Sequence, residues 1–269
     1  MNGSANLFDA LAPFYESHWG RAFLDHSISL FRKKLAPQLA HGDHVVELCC
    51  GTGHFAQWLA KQGYWVTGID GSRAMLAYAR KRLRSDRLFQ ADIRDFHLRQ
   101  RVDAVVCFYN SLNQFLEPDS FRAVLASSFR NLNPGGWFLF DFVQEHGYAQ
   151  FWETDEAFIH GDAMCELRYR FDDLQQLASC TVTIGPFEEP LEHRSQLFLR
   201  QRPYSLGFVA EELRVVGFEL VVARPVSEGN PPDGRLAILA RRPHVTPSRE
   251  SPHRSLFALQ QDPKSKSTP

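Results

Sequence analysis

The feature that most constrains the fold of this chain is an apolar segment running directly into a glycine turn. Residues 45–53 read VVELCCGTG, and an amphipathic sequence follows the turn. A buried strand, a tight turn and a helix in this order begin the α/β domains that bind adenosine-containing cofactors. The next apolar segment, 64–69, ends in Asp70, about twenty residues on, where a carboxylate can accept hydrogen bonds from both ribose hydroxyls.

Composition favours a single globular domain. The 269 residues are 44% hydrophobic and carry a formal net charge of −1, so general attraction to nucleic acid or to an anionic membrane is not expected. Neither a signal-peptide pattern nor an apolar run of about 20 residues is found, which predicts a cytoplasmic enzyme. The five cysteines show no C-x-x-C pair and no metal-ligand spacing, and we interpret them as reduced structural thiols with no metal site.

Strands and helices alternate through the centre of the chain, which predicts parallel strands joined by right-handed crossovers. The predicted strands are 45–50, 65–69, 87–90, 102–108 and 136–142, and the predicted helices are 54–62, 72–84 and 119–131.

The segments before and after this core follow other patterns. A short helix over 7–15, interrupted at Pro13, and a helix from about Leu24 to Leu39 precede the first strand and can cover a site at its end. After Asp141 the apolar residues alternate with polar ones at 165–171, 177–184 and 195–202, which predicts antiparallel strands. A helix at 206–216 follows, and the strands 217–223 and 234–241 are joined by a loop, so they should be antiparallel to each other.

The predicted fold class is therefore α/β. We expect a Rossmann-like, mostly parallel seven-stranded sheet with helices on both faces and an antiparallel last strand, and an antiparallel β lid inserted in it. The predicted domain spans 1–243, with a helical cover over about 7–40, a core over 41–142 and 206–243, and a lid over about 143–205. The polar composition of 244–269 predicts a disordered tail.

The glycine turn alone does not identify the cofactor. Gly51-x-Gly53-x-x-Ala56 also satisfies the dinucleotide fingerprint, with Asp70 in the position of its ribose-binding acid. Glu47, however, would repel a pyrophosphate and attract an ammonium or sulfonium group. Asp92, at the end of the third strand, is placed to accept a hydrogen bond from an adenine amine. These features favour a positively charged adenosine cofactor.

With these motifs the sequence resembles the class I S-adenosylmethionine-dependent methyltransferases over roughly residues 7 to 242. The resemblance implies S-adenosylmethionine as the cofactor, Asp70 as the ribose ligand and Met75 as the apolar residue against adenine. Cys49 departs from the family, which usually has glycine there. Taken singly, Glu47 could satisfy turn donors, Asp70 could cap a helix, Asp92 could start a turn and Met75 could be core. The residues predicted to bind the cofactor are Tyr15, Glu47, Cys49, Gly51, Gly53, Asp70, Gly71, Met75, Asp92, Ile93 and Phe108.

The acceptor site is expected where the fourth strand ends, because ligands lie at the carboxyl ends of parallel strands. Tyr109 and Asn110 are predicted to position the reactants there rather than to act as acid or base. The resemblance implies a positioning role for Tyr15 as well, because Ala12–Glu16 resembles an N-terminal element of many small-molecule methyltransferases whose tyrosine closes over the methyl donor. Structural roles in turns and core packing are the alternative for all three. A protonated amine or a hydroxyl would need a base, and the sequence offers several histidines without local support: His18, His146, His160 and His193.

The function predicted from the resemblance is transfer of a methyl group from S-adenosylmethionine to a nitrogen or oxygen of a small molecule. No nucleic acid or membrane partner is expected, and the lid aromatics could line a pocket, pack a small core or form a homodimer contact. The alternatives are an RNA methyltransferase that uses the basic cluster 80–87, a non-catalytic S-adenosylmethionine-binding scaffold and, last, an NAD dehydrogenase. We interpret the basic cluster as a solvated helix end.

Overall fold

The computed structural model describes residues 4–152, 154–226 and 234–244. The strands are β1 His44–Leu48, β2 Trp65–Asp70, β3 Leu88–Gln90, β4 Val102–Cys107, β5 Leu132–Val143, β6 Glu156–His160, β7 Ala163–Asp172, β8 Leu177–Pro186, β9 Ser195–Gln201, β10 Glu219–Pro225 and β11 Arg235–Arg241. The α-helices are α1 Ser4–Phe14, α2 Gly20–Ala22, α3 Leu24–Leu30, α4 His54–Lys61, α5 Arg73–Ala79, α6 Pro118–Asn131, α7 Glu145–Phe151 and α8 Leu206–Val216.

The larger sheet has seven strands in the order β10-β11-β5-β4-β1-β2-β3. The pairs from β5 through β4, β1 and β2 to β3 are parallel, whereas β11 is antiparallel to both β5 and β10. This arrangement confirms the predicted fold class. It also places the carboxyl ends of β1, β2, β4 and β5 at one edge of the sheet, where a ligand site is expected.

Helices cover both faces of this sheet. On one face, α6 and α8 bury Phe121 and Leu213 against β4 and β5. On the other, Phe31 and Leu59 belong to the apolar cluster over β1 and β2. Each fully buried side chain of this size stabilises the fold by roughly 1.5–3 kcal/mol relative to exposure, which fixes the sheet as a rigid base for the loops at its edge.

The lid is a second sheet, with four antiparallel strands in the order β6-β7-β8-β9. Its inner face packs on α1, where Leu11 and Phe14 meet Cys165 and Val182. Three of its strands match the predicted alternation, and β6 was not predicted. β6 is a largely exposed edge strand, so its sequence lacks the alternation of apolar and polar residues that burial of one face imposes.

The N-terminal cover differs from the prediction at Pro13. Helix α1 is not interrupted there but runs through Pro13 to Phe14, and a π-helical turn over Tyr15–Trp19 continues it. Proline removes one backbone donor, and the wider turn that follows lets the helical path continue past the missing bond. The predicted helix from Leu24 is helical as far as Gln38, although its hydrogen bonding changes from α to π and then to 3₁₀.

Among the described residues, no helix is both long and apolar enough to cross a bilayer. The domain limits remain a prediction, and the predicted tail from residue 244 onward lies, except for His244, outside the described residues.

Candidate active site

A cavity of about 570 Å³ opens at the edge of the sheet where β1, β2 and β3 end. The cover supplies Phe8 to its wall, and the segment between β4 and α6 supplies Phe115 and Glu117. Most of the predicted cofactor residues line this cavity, although they come from separate parts of the chain: Tyr15, Cys49, Gly51, Asp70, Gly71, Met75, Asp92 and Ile93.

The two glycines of the turn have different roles. Both have positive φ, 53° at Gly51 and 80° at Gly53, which favours glycine. A Cβ on Gly51 would have no described atom within 4 Å, so the absence of a side chain there leaves space at the cavity. A Cβ on Gly53 would lie 2.9 Å from the Cβ of Ala79, so Gly53 instead allows α4 and α5 to pack closely.

Asp70 is the last residue of β2, and its carboxylate is hydrogen-bonded to the glycine turn. Its Oδ2 accepts a hydrogen bond from the Gly51 backbone N–H at 2.8 Å, and its Oδ1 accepts one from the Ser72 N–H at 2.8 Å. Burial raises the pKa of this carboxyl, and the backbone hydrogen bonds oppose the increase. The N-cap of α5 is Ser72 rather than Asp70, since the Ser72 hydroxyl accepts from the Met75 N–H.

Glu47 lies at the end of β1 and is 8% exposed. Its Oε2 is buried and has no hydrogen-bond partner among the described residues. Burial, and secondly the charge of Asp70, raises the pKa of Glu47 well above the ordinary value, although the Ala56 N–H hydrogen bond lowers it. Buried polar atoms are nearly always bonded, so this oxygen fits an ammonium group of a bound ligand.

Asp92 is held by an arginine rather than left open to the cavity. Arg94 Nε lies 3.0 Å from each carboxylate oxygen, and Arg94 Nη2 lies 2.5 Å from Oδ2. These hydrogen bonds lower the pKa of Asp92. Arg94 therefore occupies acceptor sites that a ligand amine would need.

Two tyrosines stand on the cover side of the site. Burial is the main cause that raises the pKa of Tyr15 to about 12; the charge of Asp70 adds to it and the charge of Arg235 opposes it. Tyr109 packs on Phe23 with ring centroids 4.3 Å apart, and its hydroxyl accepts from Ser27 Oγ at 3.2 Å. Burial also raises the pKa of Tyr109. Neither phenol is set up to donate or accept a proton near neutral pH, which agrees with positioning roles.

Comparisons with known proteins agree with this geometry. Residues 45–136 match a family described as a methyltransferase domain. The chain is 35% identical over 92 residues to dTDP-3-amino-3,4,6-trideoxy-alpha-D-glucopyranose N,N-dimethyltransferase of Streptomyces venezuelae, covering 34% of this chain and 39% of that protein. It is 33% identical over 160 residues to malonyl-(acyl-carrier protein) O-methyltransferase of Pectobacterium atrosepticum, covering 54% and 61%. Residues 45–136 thus match a methyltransferase domain family, and the chain is similar in sequence to N- and O-methyltransferases.

The solved structures agree with the fold described above. A sugar N-methyltransferase from a Streptoalloteichus species superposes with a TM-score of 0.68 at 18% identity, covering 86% of this chain and 91% of that one. At this identity the likeness shows the fold. The chain spans 39% and 61% of the lengths of the two relatives above.

The remaining predicted site residues are not among the described residues that line the cavity: Glu47, Gly53, Phe108, Tyr109 and Asn110. Phe108 is 5% exposed and packs edge-on against Phe55, so it belongs to the core. Asn110 ties the core to the lid, since its Nδ2 donates to Gln201 Oε1 at 2.7 Å. Asn110 thus positions the lid, and its amide oxygen already accepts from Arg235 at 3.1 Å.

One member of the basic cluster, Arg82, is less exposed than predicted. Arg82 is 16% exposed and donates to Glu16 at 2.7 Å, to His54 Nε2 at 2.9 Å and to the Thr52 carbonyl at 3.3 Å. The interpretation as a solvated helix end is therefore wrong for Arg82, because the cover folds back onto α5 and supplies a partner from a distant part of the sequence.

Sequence reasoning missed several residues at the site edge. Arg94 and the wall residues Phe8 and Phe115 had no motif to mark them. Asp141 follows the apolar segment of β5 just as Asp70 follows that of β2, so the same signal was present in the sequence. His26 and Arg235 flank Asp141, and only the folded chain places them there.

Proposed function

We propose that this protein transfers the methyl group of S-adenosylmethionine to a nitrogen or oxygen of a small molecule. The observation that carries the proposal is the cavity at the sheet edge, which is lined by Asp70, Asp92 and the open space at Gly51. Glu47, two residues before the cavity residue Cys49, adds a buried oxygen without a hydrogen-bond partner among the described residues. In this proposal Asp70 binds the ribose, and Met75, Asp92 and Ile93 bind the adenine. Glu47, Cys49 and Gly51 face the methionine portion, whose ammonium would pair with the buried carboxylate.

The bound donor would supply an activated methyl group on a sulfonium leaving group. The protein would then contribute alignment and exclusion of water, and oriented reactants can gain roughly 7–11 kcal/mol. Phe8 and Tyr15 of the cover lie over the cavity and would close it from solvent. Tyr109 carries an aromatic face at the same edge, which can attract a cationic sulfonium.

The small-molecule acceptor is favoured by the lid, which packs against the cover beside the cavity. The relatives of this chain include amino-sugar and glycine or sarcosine N-methyltransferases, so amines of these two kinds are the first acceptors to try. We also expect the protein to be cytoplasmic and to be able to form a homodimer. Light scattering on the purified protein tests the dimer.

Gly71 provides a sharp test of the donor site. Gly71 lines the cavity, and a Cβ on it would have no described atom within 4 Å. We expect Gly71→Leu to fill the cavity and weaken S-adenosylmethionine binding on the order of 100-fold, about 2.7 kcal/mol, by isothermal titration calorimetry. The melting temperature should change little.

The matched control is Gly207→Leu at the start of α8, where the nearest atom to an added Cβ is Ser205 Oγ at 3.9 Å. This control should bind the donor normally. If the wild type binds S-adenosylmethionine but forms no S-adenosylhomocysteine with any amine or hydroxyl acceptor, the scaffold alternative replaces the enzyme. If it binds NAD and not S-adenosylmethionine, the donor assignment is wrong.

A further inference from the structure

Two polar atoms without hydrogen-bond partners among the described residues face each other near the carboxyl end of β5. Asp141 is fully buried, and its Oδ1 accepts from the Asn110 N–H at 2.8 Å. Asp141 Oδ2 and His26 Nε2 are both buried, and neither has a hydrogen-bond partner among the described residues. The two atoms are 3.6 Å apart. Buried polar atoms nearly always have a hydrogen-bond partner, so two that lack one and face each other indicate a functional pair.

The histidine has one buried edge and one accessible edge. The His26 side chain is 28% exposed although its Nε2 is buried, so the exposed part belongs to the rest of the ring. An aspartate at Nε2 favours the tautomer with the proton on that nitrogen, which leaves a lone pair on Nδ1. This is the arrangement in which a carboxylate orients an imidazole to accept a proton.

The pair lies at the edge of the sheet where an acceptor is expected. Asp141 is near the carboxyl end of β5, and the His26 ring lies 6.0 Å from the ring of Tyr109, which follows β4. Tyr109 and Asn110 have φ of 65° and 47°, so the loop beside the pair is held in a conformation that is strained for a tyrosine. Such strain is kept only where the surroundings fix it, and it is concentrated at functional sites.

The charged groups around the pair come from three elements. Asp141 belongs to β5, Arg235 to β11 and the Tyr109 hydroxyl to the loop after β4. Arg235 Nη1 lies 3.7 Å from Asp141 Oδ2, and Arg235 Nη2 donates to Asn110 Oδ1. Asp141 is thus flanked by a fixed cation on one side and by a titratable imidazole on the other.

We propose that His26, oriented by Asp141, is the base that removes a proton from the methyl acceptor, and that the acceptor is a primary or secondary alkylamine. The inference rests on the proposed methyltransferase function. An imidazole and an alkylammonium ordinarily differ by roughly 4 pKa units or less, whereas an imidazole and a water-like hydroxyl differ by roughly 9. A histidine base therefore suits an ammonium better than a hydroxyl.

The proposed step moves one proton and one methyl group. Nδ1 of His26 takes a proton from the acceptor ammonium, and the freed lone pair forms the new N–CH₃ bond. The S–CH₃ bond breaks, and its electron pair stays on the sulfur. The Asp141 carboxylate stabilises the imidazolium, which afterwards releases its proton to water.

The kinetic test is His26→Gln, assayed with an amine that the wild type methylates. We expect kcat to fall by roughly 10²- to 10⁴-fold. The decline of wild-type kcat toward acid pH should be lost in the variant, and added imidazole should restore part of the activity. Donor affinity by calorimetry should stay within about twofold, because the site for the cofactor is intact.

The matched control is His97→Gln, since His97 also sits beside an aspartate, Asp95, at 3.8 Å but on the surface, with the two side chains 70% and 75% exposed. It should keep wild-type kcat and pH profile. If His26→Gln keeps the wild-type kcat and the decline of kcat toward acid pH, then His26 is not the base, and the methyltransferase proposal is unaffected. A wild type that methylates no acceptor would overturn the methyltransferase proposal, and this one with it.

A measurement on the free protein tests the pairing without turnover. Long-range ¹H–¹⁵N NMR should show His26 with its proton on Nε2. In Asp141→Asn the amide can donate to Nε2, so the proton should move to Nδ1 while Oδ1 still accepts from Asn110. A wild-type His26 with its proton on Nδ1 would overturn the proposal.

Discussion

The buried carboxylate of Glu47 is expected to lower the stability of the free protein and to strengthen binding of the donor. It is 8% exposed, one oxygen has no partner among the described residues, and its pKa is raised mainly by burial. An acid whose pKa is raised on folding costs stability that grows as pH rises above its ordinary value. We therefore expect Glu47→Gln to raise the free energy of unfolding at pH 8 by about 1–3 kcal/mol, and with it the melting temperature. The same change should weaken S-adenosylmethionine binding.

The control for this prediction is Glu212→Gln. Glu212 is 5% exposed, but both of its oxygens accept from Arg122, at 2.5 and 2.9 Å. Its neutralisation should lower the melting temperature. A lower melting temperature in Glu47→Gln as well would mean that this carboxylate is already satisfied in the free protein.

In the proposed donor site, Arg94 would compete with the adenine amine for Asp92. Because Arg94 donates to both oxygens of that carboxylate, an adenine amine would have to displace it. We expect Arg94→Met to increase affinity for S-adenosylhomocysteine by about three- to tenfold in calorimetry. Arg84→Met is the control, since Arg84 forms the same kind of pair with Asp86 on the surface. Weaker binding by Arg94→Met would show that Arg94 itself contacts the ligand.

Among the elements, the N-terminal cover is fastened to the core by a few polar contacts. Asp9 accepts from the Ser72 hydroxyl at 2.5 Å, and Glu16 accepts from Arg82 at 2.7 Å. Sequence patterns predicted a cover but not its fastening, because each pair joins residues more than sixty positions apart. The cover also supplies Phe8 and Tyr15 to the cavity, so its position should control access of the donor.

Arg82→Gln should loosen this cover. The change leaves the Glu16 carboxylate without its cation and removes the hydrogen bond from Arg82 to the Thr52 carbonyl. We expect faster hydrogen exchange over residues 7–19 and weaker donor binding, with a loss of stability of about 1–3 kcal/mol. Lys81→Gln removes a neighbouring cation that only lies over the Tyr78 ring and should change neither measurement. Equal exchange in both variants would show that apolar packing alone holds the cover.

At the scale of the whole molecule, two partly buried histidines should make stability depend on pH. The pKa values of His44 and His54 are lowered mainly by burial, with Arg87 and Arg82 adding to the effect. A histidine with a lowered pKa binds fewer protons in the folded protein than in the unfolded chain, so stability is lost as pH falls below about 6.5.

The measurement is the midpoint of urea unfolding between pH 7.5 and 5.5. The wild type should lose more stability over this range than the double variant His44→Gln, His54→Gln. His193→Gln, an exposed change in the lid, should follow the wild type. Parallel curves for the wild type and the double variant would contradict the prediction.

The sequence determined the mostly parallel sheet, its antiparallel last strand and the motif residues of the cavity wall. These depend on local patterns: apolar strands that end in Asp70 or Gln90, and a turn in which Gly51 must have positive φ. Such patterns are fixed within a few residues, and a parallel sheet then brings the strand ends together.

Only the tertiary structure decided how the cover and lid meet that edge. It bonded Asn110 to Gln201 of the lid, gave Arg82 a partner in Glu16 and set His26 beside Asp141. No local pattern encodes these contacts, because each joins segments whose relative position is set by apolar packing of whole elements. The donor site is thus largely readable along the chain, whereas the acceptor side exists only once the chain is folded.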